Sequence, residues 1–240
     1  NVPKPMVPIG PRPMLWHIMK YYAHFGHKDF ILCLGYRGEA IKSFFLNYEE
    51  CISNDFVLTE GGRSRKLLNS DIEDWRITFV DTGLNTSVGE RLFSVREHLE
   101  GEHEFLANYS DGVTNHHLPD QIDHLRRLDR VASFLSVRPN LSYHFVTTNG
   151  EGEVTAMQDI IRAGIRVNGG FFVFRKEIFD YMREGEDLVE EPFQRLIEDR
   201  QLLAYRFDGF WTPMDTAKDK KRLDDLNDTG GPPWEIWNGG

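Results

Sequence analysis

Two carboxylates that stand far apart in the sequence have the chemistry to bind a divalent cation. Asp111 follows a short apolar run, Phe105 to Tyr109, and lies in a Ser-Asp-Gly turn sequence. Asp215 follows Phe210 to Met214, a stretch with two aromatic residues and a proline. Mg²⁺ is held in many proteins by one or two carboxylates together with substrate phosphates. The pair is therefore sufficient for a magnesium site.

Each carboxylate also has a purely structural interpretation. Asp-Gly is a good turn sequence, and for Asp111 alone the turn and the metal ligand are balanced alternatives. Asp215 could cap the last helix, but Thr216 and Asp219 have the spacing of a capping box, which leaves Asp215 free. In a parallel sheet, ligands bind in the crevice beyond the carboxyl ends of the strands, where we expect Asp111.

Two cations could join this site. Lys4 lies between Pro3 and Pro5, whose rings stiffen the backbone, and its ammonium could meet a phosphate. A solvent-facing lysine is the alternative. Arg91 opens a predicted helix and could bind an anion or the edge of a base, although a surface arginine is again the alternative.

Strand-length apolar runs alternate with segments of helical periodicity, which predicts an α/β fold with a mostly parallel sheet covered on both faces. A hairpin and further short elements follow, and they predict a mixed edge or a small β-rich subdomain. Residues 61–66 are polar and predict a mobile loop. The predicted strands are 30–34, 56–58, 76–80, 105–109, 132–137, 143–148, 153–157, 170–174 and 202–207, and the predicted helices are 14–25, 40–48, 88–99, 119–128, 178–182, 192–197 and 217–226.

Composition and missing motifs exclude several classes of function. The net charge of -10 argues against a general nucleic-acid surface, and no run is long enough for a membrane span. Cys33 and Cys51 have no CxxC spacing and predict reduced thiols in a cytoplasmic protein. The dinucleotide, P-loop, hydrolase-elbow and zincin motifs do not occur in the sequence. His116, His117 and His124 have no recognised zinc spacing.

Seven short motifs in order give the chain a resemblance to the sugar nucleotidyltransferases, and among them to the glucose-1-phosphate cytidylyltransferases. Each motif is weak alone, but together they span nearly the whole chain. They are Pro3-Lys4-Pro5-Met6, Leu15 to Lys20, Val80-Asp81-Thr82-Gly83, Gly89-Glu90-Arg91-Leu92, Tyr109-Ser110-Asp111-Gly112, Asn168 to Phe172 and Phe210 to Thr216.

The resemblance implies transfer of a cytidylyl group from CTP to a sugar 1-phosphate, with glucose 1-phosphate as the first candidate, and release of pyrophosphate. It implies a Rossmann-like fold, Mg²⁺ as cofactor and a homo-oligomer, to which the tail with Trp234 and Trp237 would contribute. Residues 1–138 would bind the nucleotide, 139–216 the sugar, and 217–240 would form the C-terminal helix and tail.

The resemblance also implies roles for individual residues. By this likeness Asp111 and Asp215 match the metal ligands and Lys4 the lysine at the nucleotide phosphates. Further nucleotide-binding positions are Thr86, Arg91 and Ser110, of which Thr86 and Arg91 would lie around the cytosine. The sugar-binding positions are Asn168, Gly169, Arg162 and Trp211.

The chain departs from the family pattern at two places. The glycine-rich GGxGTR loop is expected about 20 residues upstream of Lys4, and the printed chain is expected to be impaired without it. The Glu-Lys-Pro motif at the sugar phosphate is replaced by Gln158 to Arg162, so Arg162 or Arg166 would supply the cation. These departures leave two alternatives open: a catalytically silent subunit that binds nucleotide or sugar phosphate, and a transferase for another nucleotide or acceptor.

Overall fold

The computed structural model describes residues 2–48, 55–68, 71–139, 144–159 and 163–238, and its mixed helices and strands confirm the predicted α/β fold. The helices are α1 (Met14–His24), α2 (Gly38–Leu46), α3 (Val88–Ser94), α4 (Leu118–Leu128), α5 (Glu191–Glu198) and α6 (Ala217–Asp228). The strands are β1 (Pro8–Ile9), β2 (Arg12–Pro13), β3 (Asp29–Leu34), β4 (Phe56–Thr59), β5 (Ser64–Leu67), β6 (Arg76–Asp81), β7 (Glu104–Ala107), β8 (Gly112–Thr114), β9 (Ala132–Val137), β10 (His144–Thr148), β11 (Val154–Asp159), β12 (Val167–Asn168), β13 (Phe172–Arg175), β14 (Leu202–Arg206) and β15 (Trp211–Pro213).

The main sheet is mixed because two of its five strands, β12 and β13, run against the other three. β13 lies between β7 and β9 and is antiparallel to both, so β7 and β9 run in the same direction. β14 is parallel to β9, while the short β12 is antiparallel to it. β3 and β6 form a separate parallel pair. The predicted parallel arrangement therefore holds for β7, β9 and β14 within the main sheet and for the separate pair of β3 and β6.

Hydrophobic clusters cover both faces of this sheet, and alternate residues of β13 show it. Val173 packs with Leu135 and with α1 and α4, whereas Phe172 and Phe174 pack with Phe193 and other residues on the opposite face. Alternation of side chains between two buried faces is the expected behaviour of a central strand. Among the described residues, no helix is long and apolar enough to cross a membrane.

One edge of β3 and one edge of β7 have no partner strand in the described part of the chain. A cavity of about 550 Å³ is lined by both strands, with Ile31 on one side and Phe105 on the other. In the described ranges, no ladder of backbone hydrogen bonds joins the β3–β6 pair to the main sheet. Other contacts must therefore fix the position of this pair.

Two hairpins stand apart from both sheets. β4 pairs only with β5, and β10 only with β11, among the described strands. The prediction of a mobile loop at 61–66 is wrong for its second half, because Ser64–Leu67 pairs in register with β4. Arg65 and Lys66 face Leu58 and Val57 across this hairpin, so a polar sequence adopts a strand through pairing and not through burial.

The C-terminal tail belongs to the core of its own chain. Trp234 is only 1% exposed, and its indole Nε1–H donates to Nδ1 of His17 at 3.2 Å. The second ring nitrogen, Nε2, then carries the proton and donates to the carbonyl of Ile9 at 3.1 Å. The expectation that Trp234 contributes to an oligomer contact is wrong, because its side chain is buried within one copy.

Burial gives His17 a measurable effect on stability. Its desolvation lowers the pKa from the ordinary 6.5 to about 4, so the folded protein holds it neutral where the unfolded chain is protonated. We expect this residue to contribute full stability above pH 6.5 and to lose up to about 3 kcal/mol between pH 6.5 and pH 4. Urea unfolding across this range should show a shallower loss for His17→Gln than for the parent.

The matched control is His24→Gln at the exposed end of the same helix, which should keep the parental pH dependence. Equal slopes for His17→Gln and the parent would contradict a neutral buried imidazole.

Candidate active site

A three-residue ladder brings the two distant carboxylates together. β8 pairs with β15 in antiparallel register, with Gly112 opposite Pro213 and Thr114 opposite Trp211. Beyond the paired residues, the backbone N–H of Met214 donates to the carbonyl of Asp111 at 2.7 Å. Asp111 and Asp215 therefore leave the ladder at the same end, and their side chains point to one place.

Lys4 lies between these two carboxylates. Its Nζ is 2.7 Å from Oδ2 of Asp111 and 2.5 Å from Oδ1 of Asp215. The backbone here forms a single 3₁₀ turn, Lys4–Met6, which starts after the extended Pro3. Partial burial disfavours the ammonium, but hydrogen bonds and charge attraction from Asp111 and Asp215 outweigh it and raise the pKa of Lys4. The three groups thus form one charged cluster.

The cluster is open to solvent, as a site for substrates must be. Side-chain exposure is 41% for Lys4, 29% for Asp111 and 60% for Asp215. Asp215 does not cap the following helix, because Thr216 and Asp219 form the predicted capping box at the start of α6. The carboxylate of Asp215 therefore remains available for a ligand.

A cavity of about 300 Å³ opens beside the carboxylates. Asn168, Gly169 and Trp211, which were predicted to bind the sugar, line it together with Asp111 and Asp215. The indole Nε1–H of Trp211 donates to the carbonyl of Gly169 at 2.9 Å, so the ring fixes this wall. The structure thus places these five residues around one cavity.

Sequence reasoning missed Asn108, which also lines this cavity. Its Oδ1 accepts the backbone N–H of Phe171 at 2.9 Å, while its Nδ2 is buried without a partner among the described residues. Gly170 has φ +77°, and a Cβ there would lie 2.6 Å from Oδ1 of Asn108. Glycine at position 170 therefore adopts the positive φ without strain and leaves room for the side chain of Asn108. A polar residue at the end of an apolar strand was the only signal for Asn108.

Arg91 and Thr86 lie at the ends of the other parallel pair and do not line the 300 Å³ cavity. The Arg91 guanidinium donates to the carbonyl of Leu34 at 3.2 Å and to Oγ1 of Thr82 at 2.8 Å. The hydroxyl of Thr86 donates to the carbonyl of Gly83 at 3.1 Å. Both side chains therefore brace the turns that follow β3 and β6.

The helix that carries Arg91 rests directly on a distant loop. Ser87 caps α3 with a capping box, and its hydroxyl also donates to the carbonyl of Glu186 at 3.0 Å. At Gly89, a Cβ would lie 2.3 Å from this carbonyl oxygen and 2.8 Å from the backbone nitrogen of Leu188. Only glycine leaves room for this contact.

The remaining predicted positions are less informative. Ser110 is exposed beside Asp111. Arg162 and Cys51 lie outside the described residues. Cys33 is a half-buried free thiol, and burial raises its pKa to about 11. Arg166 is held by Asp208 at 2.7 Å and by backbone carbonyls of the sheet.

The donor set fits a magnesium ion. Two carboxylates from separate segments already share a single cationic group, so one small hard cation could be bound by both. In the described part of the chain, no group of three or more His, Cys, Asp or Glu residues could hold a metal by itself. A site of this kind needs further oxygen ligands, which water or substrate phosphates provide.

Comparison with known proteins gives the family. The glucose-1-phosphate cytidylyltransferase of Salmonella typhimurium is 35% identical over 237 residues, which cover 98% of this chain and 91% of the relative. The mannose-1-phosphate guanyltransferase of Saccharomyces cerevisiae is 27% identical over 229 residues, covering 91% of this chain and 57% of that protein. No family model matches the chain.

The fold is also found in solved structures. UDP-glucose pyrophosphorylase complexed with UDP-glucose superposes with a TM-score of 0.65 at 14% identity and covers 95% of this chain and 91% of that one. This likeness shows the Rossmann-like α/β fold. With 35% identity along nearly its full length, the chain belongs to the glucose-1-phosphate cytidylyltransferase family of sugar nucleotidyltransferases.

Proposed function

We propose that the protein is a magnesium-dependent cytidylyltransferase that transfers a cytidylyl group from CTP to a sugar 1-phosphate. Glucose 1-phosphate is the first candidate acceptor because the relative from Salmonella typhimurium is named for it. The observation that carries the proposal is the position of the Lys4 ammonium between Asp111 and Asp215 at the rim of a cavity.

The reaction needs charge and alignment more than proton transfer. A phosphate monoester has a second pKa near 6, so its oxygen is already a nucleophile at neutral pH. That oxygen forms a bond to the α-phosphorus of CTP while the bond from this phosphorus to the bridging oxygen of pyrophosphate breaks. Bound Mg²⁺ would neutralise negative charge on the phosphates. Lys4 would orient the α-phosphate, and the cavity would hold the sugar in line.

The base would be bound on the side of Arg91 and Thr86. Arg91 braces the turns after β3 and β6 through the terminal nitrogens of its guanidinium. A guanidinium at this position can donate to the acceptors O2 and N3 of cytosine. In this proposal, residues 1–138 supply the nucleotide side and 139–216 the sugar side.

On the sugar side, Asn168, Gly169 and Trp211 offer amide, backbone and ring surface to a hexose. Arg166 could bind the acceptor phosphate only by giving up its contacts with Asp208 and the sheet carbonyls. Arg162 is therefore the better candidate for the missing lysine of the Glu-Lys-Pro motif. The glycine-rich loop expected upstream of Lys4 stays a prediction.

The engagement of Arg166 favours one alternative, a subunit that binds nucleotide or sugar phosphate without turnover. Such a protein would show an increase in melting temperature with CTP or glucose 1-phosphate but would release no pyrophosphate. Replacing CTP by the other nucleoside triphosphates, and glucose 1-phosphate by other phosphorylated sugars, tests the base and the acceptor in the same assay.

Removing either carboxylate should abolish most of the turnover. Asp111→Asn and Asp215→Asn keep the size of the side chain but lose the charge that holds the cation, and we expect pyrophosphate release to fall by about 100-fold or more. The control is Asp225→Asn, because Asp225 pairs with Lys221 on the surface of α6. Parental rates in both site variants would contradict the metal assignment.

Lys4 should compete with a divalent cation when no nucleotide is bound. Lys4→Met removes the ammonium and keeps an unbranched side chain. One unit charge at about 4 Å is worth about 1 kcal/mol in a water-like environment, so we expect Mn²⁺ alone to bind about five- to tenfold more tightly. Calorimetric titration with Mn²⁺ measures this change directly.

Lys28→Met is the matched control, because Lys28 pairs with Asp74 and neither residue lines the cavity beside Asp111. It should leave Mn²⁺ affinity unchanged. Equal or weaker Mn²⁺ binding by Lys4→Met would show that the cation does not occupy the position of the ammonium.

A further inference from the structure

Tyr109 brings a phenol to the cavity beside the two carboxylates, which it lines together with Asn168 and Trp211. Its ring packs edge-on against Phe172, with 5.3 Å between the ring centroids. On another side it approaches the backbone, because a Cβ at Gly170 would lie 3.0 Å from Cδ2 of the ring. These contacts fix the position of the ring. Its hydroxyl can donate or accept a hydrogen bond, and the neighbouring groups decide which.

A backbone donor fixes the orientation of the amide next to this phenol. Oδ1 of Asn168 accepts the backbone N–H of Gly170 at 2.9 Å. The reverse orientation would set the amide nitrogen against this N–H, so that two donors would face each other. Nδ2 of Asn168 therefore lies on the side of Tyr109, and it donates to the phenol oxygen at 3.4 Å.

The phenol oxygen is thus the acceptor in its contact with Asn168, and its own proton is directed elsewhere. A tyrosine side chain carries this proton at neutral pH. The hydrogen bonds run in one direction, from the backbone of Gly170 through Asn168 to Tyr109. This chain of hydrogen bonds therefore ends at the cavity with a donor.

We propose that the hydroxyl of Tyr109 donates a hydrogen bond to a hydroxyl oxygen of the acceptor sugar and so determines which sugars are accepted. The inference rests on the proposed function, in which this cavity holds the sugar of a sugar 1-phosphate. The ring of Trp211 on the cavity wall suits the C–H face of a hexose. The phosphates belong instead beside Lys4 and the bound cation. Asn168 is a positioning residue here, because it acts through Tyr109.

Deoxy analogues of glucose 1-phosphate identify the contacted hydroxyl. An analogue that lacks it leaves the phenol donor unpaired, so we expect one of the 2-, 3-, 4- and 6-deoxy compounds to bind about tenfold more weakly than glucose 1-phosphate. Fluorine accepts a hydrogen bond weakly and cannot donate one. The deoxyfluoro analogue at the same position should therefore bind more tightly than the deoxy analogue.

Calorimetric titration in the presence of Mg²⁺ and a non-cleavable CTP analogue measures these affinities without turnover. Comparing two ligands that carry the same phosphate isolates the contribution of the sugar hydroxyl. The ratio of the two dissociation constants is thus the discrimination of each protein variant, and a general change in phosphate affinity cancels from it.

Two variants test the direction of the hydrogen bonds. Tyr109→Phe removes the donor, so its affinities for glucose 1-phosphate and for the critical deoxy analogue should agree within about twofold. Asn168→Asp keeps an acceptor for the N–H of Gly170 and presents a second oxygen to the phenol. The phenol proton then turns to this oxygen, and discrimination should be lost although Tyr109 is present. The double variant should show no further loss.

Tyr181→Phe is the matched control. The hydroxyl of Tyr181 donates to Asp199 at 3.1 Å, and neither residue lines the cavity beside Asp111. This variant should keep the parental discrimination. Circular dichroism with thermal unfolding shows that each variant is folded.

Parental discrimination in folded Tyr109→Phe would overturn the proposal, as would a parent that binds every deoxy analogue as tightly as glucose 1-phosphate. Parental discrimination in Asn168→Asp would overturn the positioning role of Asn168. Failure of the proposed function gives a different result: a parent with the expected discrimination that releases no pyrophosphate would reject the transfer and keep the contact. A parent that binds no hexose 1-phosphate would overturn both.

Discussion

The candidate site depends on a short antiparallel ladder between two segments about a hundred positions apart. β8 and β15 pair over three residues, and one more backbone hydrogen bond, from Met214 to Asp111, extends the contact. A shift of one residue in this register would turn alternate side chains to the other face. The ladder therefore determines whether Asp111 and Asp215 meet. The rest of the fold, from α1 to the buried tail, supports this pairing.

Two carboxylates at one place repel each other, and the protein balances this with Lys4. The ammonium contacts both, and its own pKa is raised because their hydrogen bonds and charge outweigh partial burial. Since the cluster is partly exposed, water screens these interactions, and the stabilisation is modest. Modest attraction suits the proposed function, in which a cation and phosphates would replace these internal contacts. A fully buried pair would hold its partner too tightly for this exchange.

Much of this could be predicted from the sequence, and the failures have physical reasons. Asp111, Asp215 and Lys4 were recognised by residue type and by their neighbours, and the Thr216 cap by its spacing to Asp219. β8 and β15 were not predicted as a pair, because three-residue strands have too short a period to recognise.

Contacts that depend on tertiary structure could not be predicted from the sequence either. Asn108 is one example, since its role is a hydrogen bond to Phe171, 63 positions away. Arg91 is another, because a helix start gives no indication that its guanidinium binds the carbonyl of Leu34. The strand at Ser64–Leu67 was missed because its polar residues pair without burial.

Gly89 has a consequence for how the two halves of the site can vary during evolution. In the described ranges, no ladder of backbone hydrogen bonds joins the β3–β6 pair to the main sheet. The packing of α3 against the backbone of Glu186 and Leu188 is therefore one of the contacts that set the position of this strand pair. The loop around Glu186 is itself anchored by an ion pair with Arg195 on α5. A mutation in that loop would therefore move Arg91 without touching it. If Arg91 binds the base as proposed, base preference would then depend on loop residues that never approach a nucleotide.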